Sequence, residues 1–162
     1  MAKLSAGLLL HRRTADQVEV LLVHPGGPFW ARKDDGAWSV PKGEHGPDDD
    51  AHAAALREFA EELGTDPPAS PRADLDLGEV RQKGGKVVRC WARPGDFDAN
   101  AITSNTFEME WPPRSGHLGT FPEVDRADWF DLDTARVKLL AGQVPFLDRL
   151  EAALDGPGDP TP

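Results

Sequence analysis

The sequence has one cysteine, Cys90, so no internal disulfide can form, and the chain suits a reducing compartment. Long hydrophobic runs are also missing. The longest apolar stretch near the N-terminus, residues 6–10, is too short for a signal-peptide core and far too short for a membrane span. A cytoplasmic protein is expected. Basic residues are scarce, with 18 Lys and Arg against 28 Asp and Glu, a formal charge of −10. Duplex nucleic acid and anionic membranes need a broad basic surface, so neither is expected as a partner. A small anionic ligand needs only a local cluster of cations and stays open. There is no internal repeat and no zinc-like spacing of histidines and acids.

At 162 residues the chain is long enough for one domain with its own core. That domain is expected over residues 1–154. Residues 155–162 offer nothing apolar to bury, which predicts a disordered tail.

Residues 4–11 and 18–23 are apolar, β-prone runs, and the polar stretch 12–17 between them predicts a hairpin connection. A Gly/Pro-rich loop with aromatic and basic residues follows over 24–36; loops of that length inside a domain are often functional. Residues 38–40 form a short run leading into Pro41, Lys42, Gly43 and Glu44. Residues 48–63 predict a helix. Pro47 and the acids Asp48, Asp49 and Asp50 suit its start, Ala51, Ala55, Phe59 and Leu63 make a four-residue buried stripe, and Gly64 suits the left-handed position beyond its end. Two strands are expected at 75–80 and 86–93, a loop at 95–106, and a half-buried strand at 107–111. A long loop at 112–122, a short strand at 127–130 and helices at 131–140 and 145–154 complete the chain. This order predicts a mixed α/β sandwich.

Chemistry concentrates in Arg57-Glu58-Phe59-Ala60-Glu61-Glu62-Leu63-Gly64. At helical spacing Glu58, Glu61 and Glu62 crowd one face while Ala55, Phe59 and Leu63 occupy the other. Clustered carboxylates suit a hard divalent cation. The same pattern also describes a solvated acidic face with Arg57 paired to Glu61, and helical spacing alone leaves both open.

The wider context resembles the signature of the Nudix hydrolases, G-x5-E-x7-R-E-U-x-E-E-x-G-U, with U bulky and aliphatic. Gly43 takes the first glycine, and Arg57, Glu58, Phe59, Glu61, Glu62 and Gly64 take the later places in register. Asp49 replaces the early glutamate, Thr65 replaces the last U, and Phe59 is aromatic.

The resemblance implies an α/β/α sandwich with a mixed sheet and a loop-helix-loop Nudix box. It implies hydrolysis of a nucleoside diphosphate linked to another moiety, with Mg2+ or Mn2+ as cofactor. Glu58, Glu61, Glu62 and the Gly43 carbonyl would hold the metal. One glutamate, here taken as Glu58, would accept a proton from water, and Arg57 would orient the carboxylates. Asp49 is either a supporting acid or a helix cap.

Trp38-Ser-Val-Pro-Lys-Gly-Glu44 is similar to the run of the diadenosine tetraphosphate hydrolase branch. That branch carries a further glutamate six residues before a tryptophan, as Glu123 precedes Trp129. Glu123 is therefore expected as a late metal ligand, with an exposed loop acid as the alternative. Other runs resemble short bacterial proteins described as predicted NTP pyrophosphohydrolases. Small-molecule nucleotides are the implied partners: a dinucleoside polyphosphate first, a normal or oxidised nucleoside triphosphate second, and a non-catalytic nucleotide-binding module as the reading of another class.

Lys42, Lys83, Lys86, Arg32, Lys33 and Arg114 are candidate phosphate-binding residues. Trp30, Trp38 and Trp111 suit either base stacking or packing. The five histidines show no partner spacing and read as structural or surface residues.

Overall fold

The computed structural model describes residues 3–155. Strand β1, Leu4–Thr14, is the axis of the main sheet. It pairs antiparallel with β2, Gln17–Pro25, from His11↔Val20 to Thr14↔Gln17, and only Ala15 and Asp16 lie between them. Ala15 adopts a left-handed φ of 52°. Most of the stretch expected as a connection is therefore strand.

Beyond β2, the same edge of β1 is taken by β3, Lys42–His45, through Leu4↔His45 to Gly7↔Lys42. The other edge pairs in parallel with β5, Val87–Pro94. Strand β4, Leu75–Arg81, adds to β5, and β8, Val124–Asp131, adds to β2. The order is β4-β5-β1-β2-β8 with β3 on β1, and the parallel β1–β5 pair makes the sheet mixed.

Side-chain alternation assigns the two faces. Leu8, Leu10, Leu21 and Val23 pack with Ala54, Ala55, Phe59 and Leu63 of helix α1, Ala51–Leu63. Leu9, Val20 and Leu22 pack on the opposite face with residues of α2, Leu132–Lys138, and α3, Pro145–Asp155. Both faces are covered, which is why these strands read as continuous apolar runs. The result is an α/β/α sandwich.

Helix α1 begins later than the acidic run suggests. Asp50 is the cap, accepting from Ala53 N–H at 3.2 Å. Asp49 accepts from Gly46 N–H at 2.7 Å and closes the preceding loop instead of capping the helix. At the other end Gly64 is left-handed at φ 86°. The incoming loop supplies donors to the helix's last carbonyls, with Thr103 N–H to Leu63 O and Asn105 N–H to Glu61 O, both at 3.1 Å.

The expected loop 112–122 is a second correction. Strands β6, Thr106–Glu110, and β7, Leu118–Pro122, form a separate two-stranded hairpin. Prolines and glycines around the turn conceal the pairing in the sequence. In the short run 38–40, Trp38 and Ser39 make isolated bridges, Trp38↔Leu139 and Val23↔Ser39. Asp155 is the last residue of α3, and the rest of the expected tail, 156–162, lies outside the described residues. Among the described residues no helix is long and apolar enough to cross a membrane.

Candidate active site

Helix α1 lies against β3, so the acids of one meet the backbone of the other. A Cβ built on Gly43 would fall 2.0 Å from the Glu58 carboxylate. Only glycine lets that side chain cross the strand. Burial pushes the Glu58 carboxyl above its ordinary value, and the Glu61 charge beside it adds to this. Arg57, 3.6 Å from Glu58 Oε1, pulls the other way.

Glu62 turns inward. Its Oε1 accepts from Lys42 N–H at 3.2 Å, yet burial raises its carboxyl to about 8. The Lys42 amide and ammonium oppose that rise, while Glu123 and Glu58 add repulsion. Lys42 is itself lowered, first by burial and then by the neighbouring Lys86.

Lys42, Glu62 and Glu123 share a cavity of about 170 Å³ with Trp30, Ser39 and an apolar wall of Val23, Pro25, Ala37, Val124 and Leu140. Main-chain bonds carry Glu123 there from a distant part of the chain. Its N–H donates to Asn105 O at 2.7 Å, its carbonyl accepts from Gly26 N–H at 2.9 Å, and Asn105 is bonded to Glu61 O. A larger hollow of about 420 Å³, between the β1–β2 turn and helices α2 and α3, holds none of these groups.

The expected phosphate-binding residues divide. Lys42 enters the cavity, and Lys86 lies within electrostatic reach of it. Lys83 is exposed on the β4–β5 turn, where Gly84 and Gly85 have φ of 90° and 87°. Arg32 and Lys33 are exposed in the 26–36 loop, with the Lys33 ammonium 5.1 Å from the Trp30 ring. Arg114, at φ 61°, sits exposed in the β6–β7 turn. Arg32, Lys33, Lys83 and Arg114 line none of the described cavities. Trp30 alone of the three tryptophans lines the site; Trp38 is core, and Trp111 meets Phe29 edge-on at 5.2 Å.

Several partners carry no signal in the sequence. His24 is fully buried between Asp125 and the Lys33 carbonyl, and His52 bonds Asp74 at 2.7 Å. Buried Gln143 accepts from Val40 N–H and donates to Ser39 Oγ and Gln82 Oε1, linking the cavity floor to the β4–β5 turn.

Among the described residues no three acidic, histidine or cysteine groups already converge to hold a metal ion. The donor set nevertheless suits one. Magnesium retains several waters and uses one or two carboxylates. The Glu61 charge stands near enough to Glu58 to act on it, and Glu62 and Glu123 share the cavity. Close acids with raised carboxyls are groups that a cation would stabilise in ionised form.

The NUDIX domain family model matches residues 1–150. An RNA pyrophosphohydrolase of Rhodospirillum rubrum is 30% identical over 155 residues, covering 90% of this chain and 89% of that protein. Two solved structures show a similar fold. The C. elegans Ap4A hydrolase has a TM-score of 0.59 at 21% identity and covers 95% of this chain and 99% of its own. The NUDIX domain of Shewanella oneidensis NrtR, complexed with ADP ribose, has a TM-score of 0.64 at 18% identity and covers 95% and 89%. Nudix hydrolases generally use divalent metal ions and act on small nucleotide substrates. With its box glycine against the acidic face of α1, this chain belongs to the NUDIX family and is a Nudix hydrolase.

Proposed function

We propose that the protein hydrolyses a pyrophosphate bond in a nucleotide carrying a polyphosphate chain, with a dinucleoside polyphosphate as the first substrate. The convergence of Lys42, Glu62 and Glu123 at one cavity beside the Glu58–Glu61 pair carries this reading. Glu58, Glu61, Glu62, Glu123 and the Gly43 carbonyl would hold Mg2+ or Mn2+. When bound, the cation neutralises phosphate oxygens and lowers the pKa of water.

The chain's own groups supply the rest. Glu58 accepts the proton as water adds to phosphorus. The bridging P–O bond breaks, and the leaving phosphate oxygen takes its electron pair. The Glu58 carboxylate crosses β3 at Gly43, which places it within the box. Arg57 orients that carboxylate by charge. Lys42 binds a phosphate oxygen, and Lys86 extends the positive region along the substrate. The flat Trp30 face suits a base. Arg32, Lys33, Lys83 and Arg114 are exposed cations for phosphates farther out. A cytoplasmic setting belongs to this reading, and the free, buried thiol of Cys90 is compatible with it.

A second reading is a 5′-triphosphorylated RNA end, favoured by the relative at 30% identity. Catalytic efficiencies on diadenosine tetraphosphate, ATP, 8-oxo-dGTP and a short 5′-triphosphorylated RNA, with products identified by mass, separate them. The dinucleotide should lead. A clear preference for the RNA or a mononucleotide overturns the first reading, and turnover of none overturns the activity.

A further inference from the structure

His24 lies outside the acidic face, yet it bonds to two of the segments around the cavity and belongs to the third. Its side chain is wholly buried. Nδ1 lies 2.8 Å from Asp125 Oδ1, and Nε2 lies 2.6 Å from the Lys33 carbonyl. Each ring nitrogen thus faces an acceptor, the carboxylate on one side and the carbonyl on the other. Asp125 closely follows Glu123 and Val124 at the start of β8. Lys33 is joined by its N–H to Trp30 O at 2.9 Å. His24 itself lies between Val23 and Pro25 at the end of β2. One imidazole therefore ties the end of β2 and the loop that follows it to the start of β8, 101 residues farther along the chain.

The loop is braced beyond His24 as well. Trp38 meets the imidazole edge-on at 5.2 Å and donates from Nε1 to Asp34 Oδ1 at 2.8 Å. Lys138 Nζ donates to Asp34 Oδ2 at 2.7 Å. These contacts hold the Lys33–Asp34 end of the loop, while Phe29 rests edge-on against Trp111. Trp30 sits between the two anchors. Glu58, Glu61 and Glu62 stand on α1, an element to which His24 makes no hydrogen bond.

We propose that His24 is a positioning residue whose two hydrogen bonds set the Trp30 wall against the Glu123–Val124 wall and so fix the affinity for the part of the nucleotide seated between them. The proposal rests on the reading of this cavity as the nucleotide site. A wall already in place loses less conformational freedom when substrate arrives, so loosening it weakens binding. The acids on α1, the backbone of β3 and Glu123, which its own main-chain bonds to Asn105 O and Gly26 N–H hold apart from His24, keep their geometry. Loss of the clamp therefore raises KM and leaves kcat largely intact.

The test uses the full chain with Mg2+ and, as probes, diadenosine tetraphosphate and ATP. Variants H24Q, D125A, W30A and the double variant H24Q/W30A are compared by KM, kcat and thermal midpoint. H24Q and D125A should each raise KM by about tenfold with kcat within about twofold, and W30A should do the same. The double variant should be no worse than W30A alone, because both changes remove one device. If W30A leaves KM unchanged, the cavity is not the nucleotide site. If W30A raises KM while H24Q and D125A do not, the site stands and the clamp is overturned. A parallel loss of kcat and stability, additive with W30A, also overturns it in favour of general support of the fold. Should H24Q fail to fold, D125A carries the same decision, since its side chain is one-third exposed.

Discussion

The main-chain amide of Lys42 donates to Glu62 Oε1 while the Lys42 ammonium enters the same cavity as that carboxylate. Strand β3 thus fixes the rotamer of an acid on α1 and sets a cation beside it. A buried acid receives a partial counter-charge from its own fold, yet burial still dominates and leaves Glu62 at about 8.

That balance gives Glu62→Gln two opposite effects. A carboxyl raised in the native state binds a proton that the unfolded chain has released. Stability without added metal therefore falls as pH rises from the ordinary 4.5 towards about 8. With Mg2+ chelated, the variant should melt above the wild type at pH 9, and the two should converge near pH 4. Its turnover with Mg2+ should drop by more than about a hundredfold. A melting difference independent of pH would show that Glu62 is not the group responsible.

Gly43→Ala tests the crossing of strand and helix. The added methyl would overlap the flexible end of Glu58, so the side chain swings away at small cost to the fold. Turnover should fall by at least about a hundredfold with a thermal midpoint within a few degrees. Retained activity would mean that Glu58 acts from a different position.

Asp74 links stability to pH in the other direction. Burial raises its carboxyl, but bonds from Arg93 and His52 outweigh this and hold it below its ordinary value. Its stabilising contribution is complete above the ordinary carboxylate range and is lost as pH falls through the lowered value. Asp74→Asn should cost about 2 kcal/mol or more at pH 7, and the deficit should shrink as pH falls below that range. Melting curves at stepped pH decide it. Because His52 is in the first turns of α1 and stacks on Trp91 at 4.8 Å, this pair also ties the acidic helix to the sheet.

The neighbouring acids Asp49 and Asp50 should respond differently. Asp50→Ala removes the helix cap and should cost about 1 kcal/mol, or roughly 2–4 °C in melting temperature. Asp49→Asn retains an acceptor for Gly46 N–H and should keep nearly full activity and stability. A hundredfold loss of turnover with unchanged melting would instead assign Asp49 a part in the chemistry.

The helix carrying the acids was legible because its signals are local. A four-residue stripe, acids before the first turn and glycine after the last all act within a few residues of one another. The exact cap was not, since three consecutive aspartates can each serve and only the loop geometry at Gly46 separates them. The β6–β7 hairpin was hidden because its strands bracket a turn rich in proline and glycine, which locally reads as irregular chain.

By itself the sequence determined the box, the acidic face of α1 and the apolar strands beneath it, because periodicity and motif spacing are properties of contiguous residues. Only the tertiary structure decided the cavity. Its walls come from β2, the 26–36 loop, β3, α1 and the start of β8, brought together by hydrogen bonds such as His24–Asp125 and Glu123–Asn105. It also decided the burial of the cations, setting Lys42 at the cavity and leaving Lys83 and Arg114 exposed. Charge and residue type can be read along a chain, whereas burial and partnership depend on which distant segments pack against it.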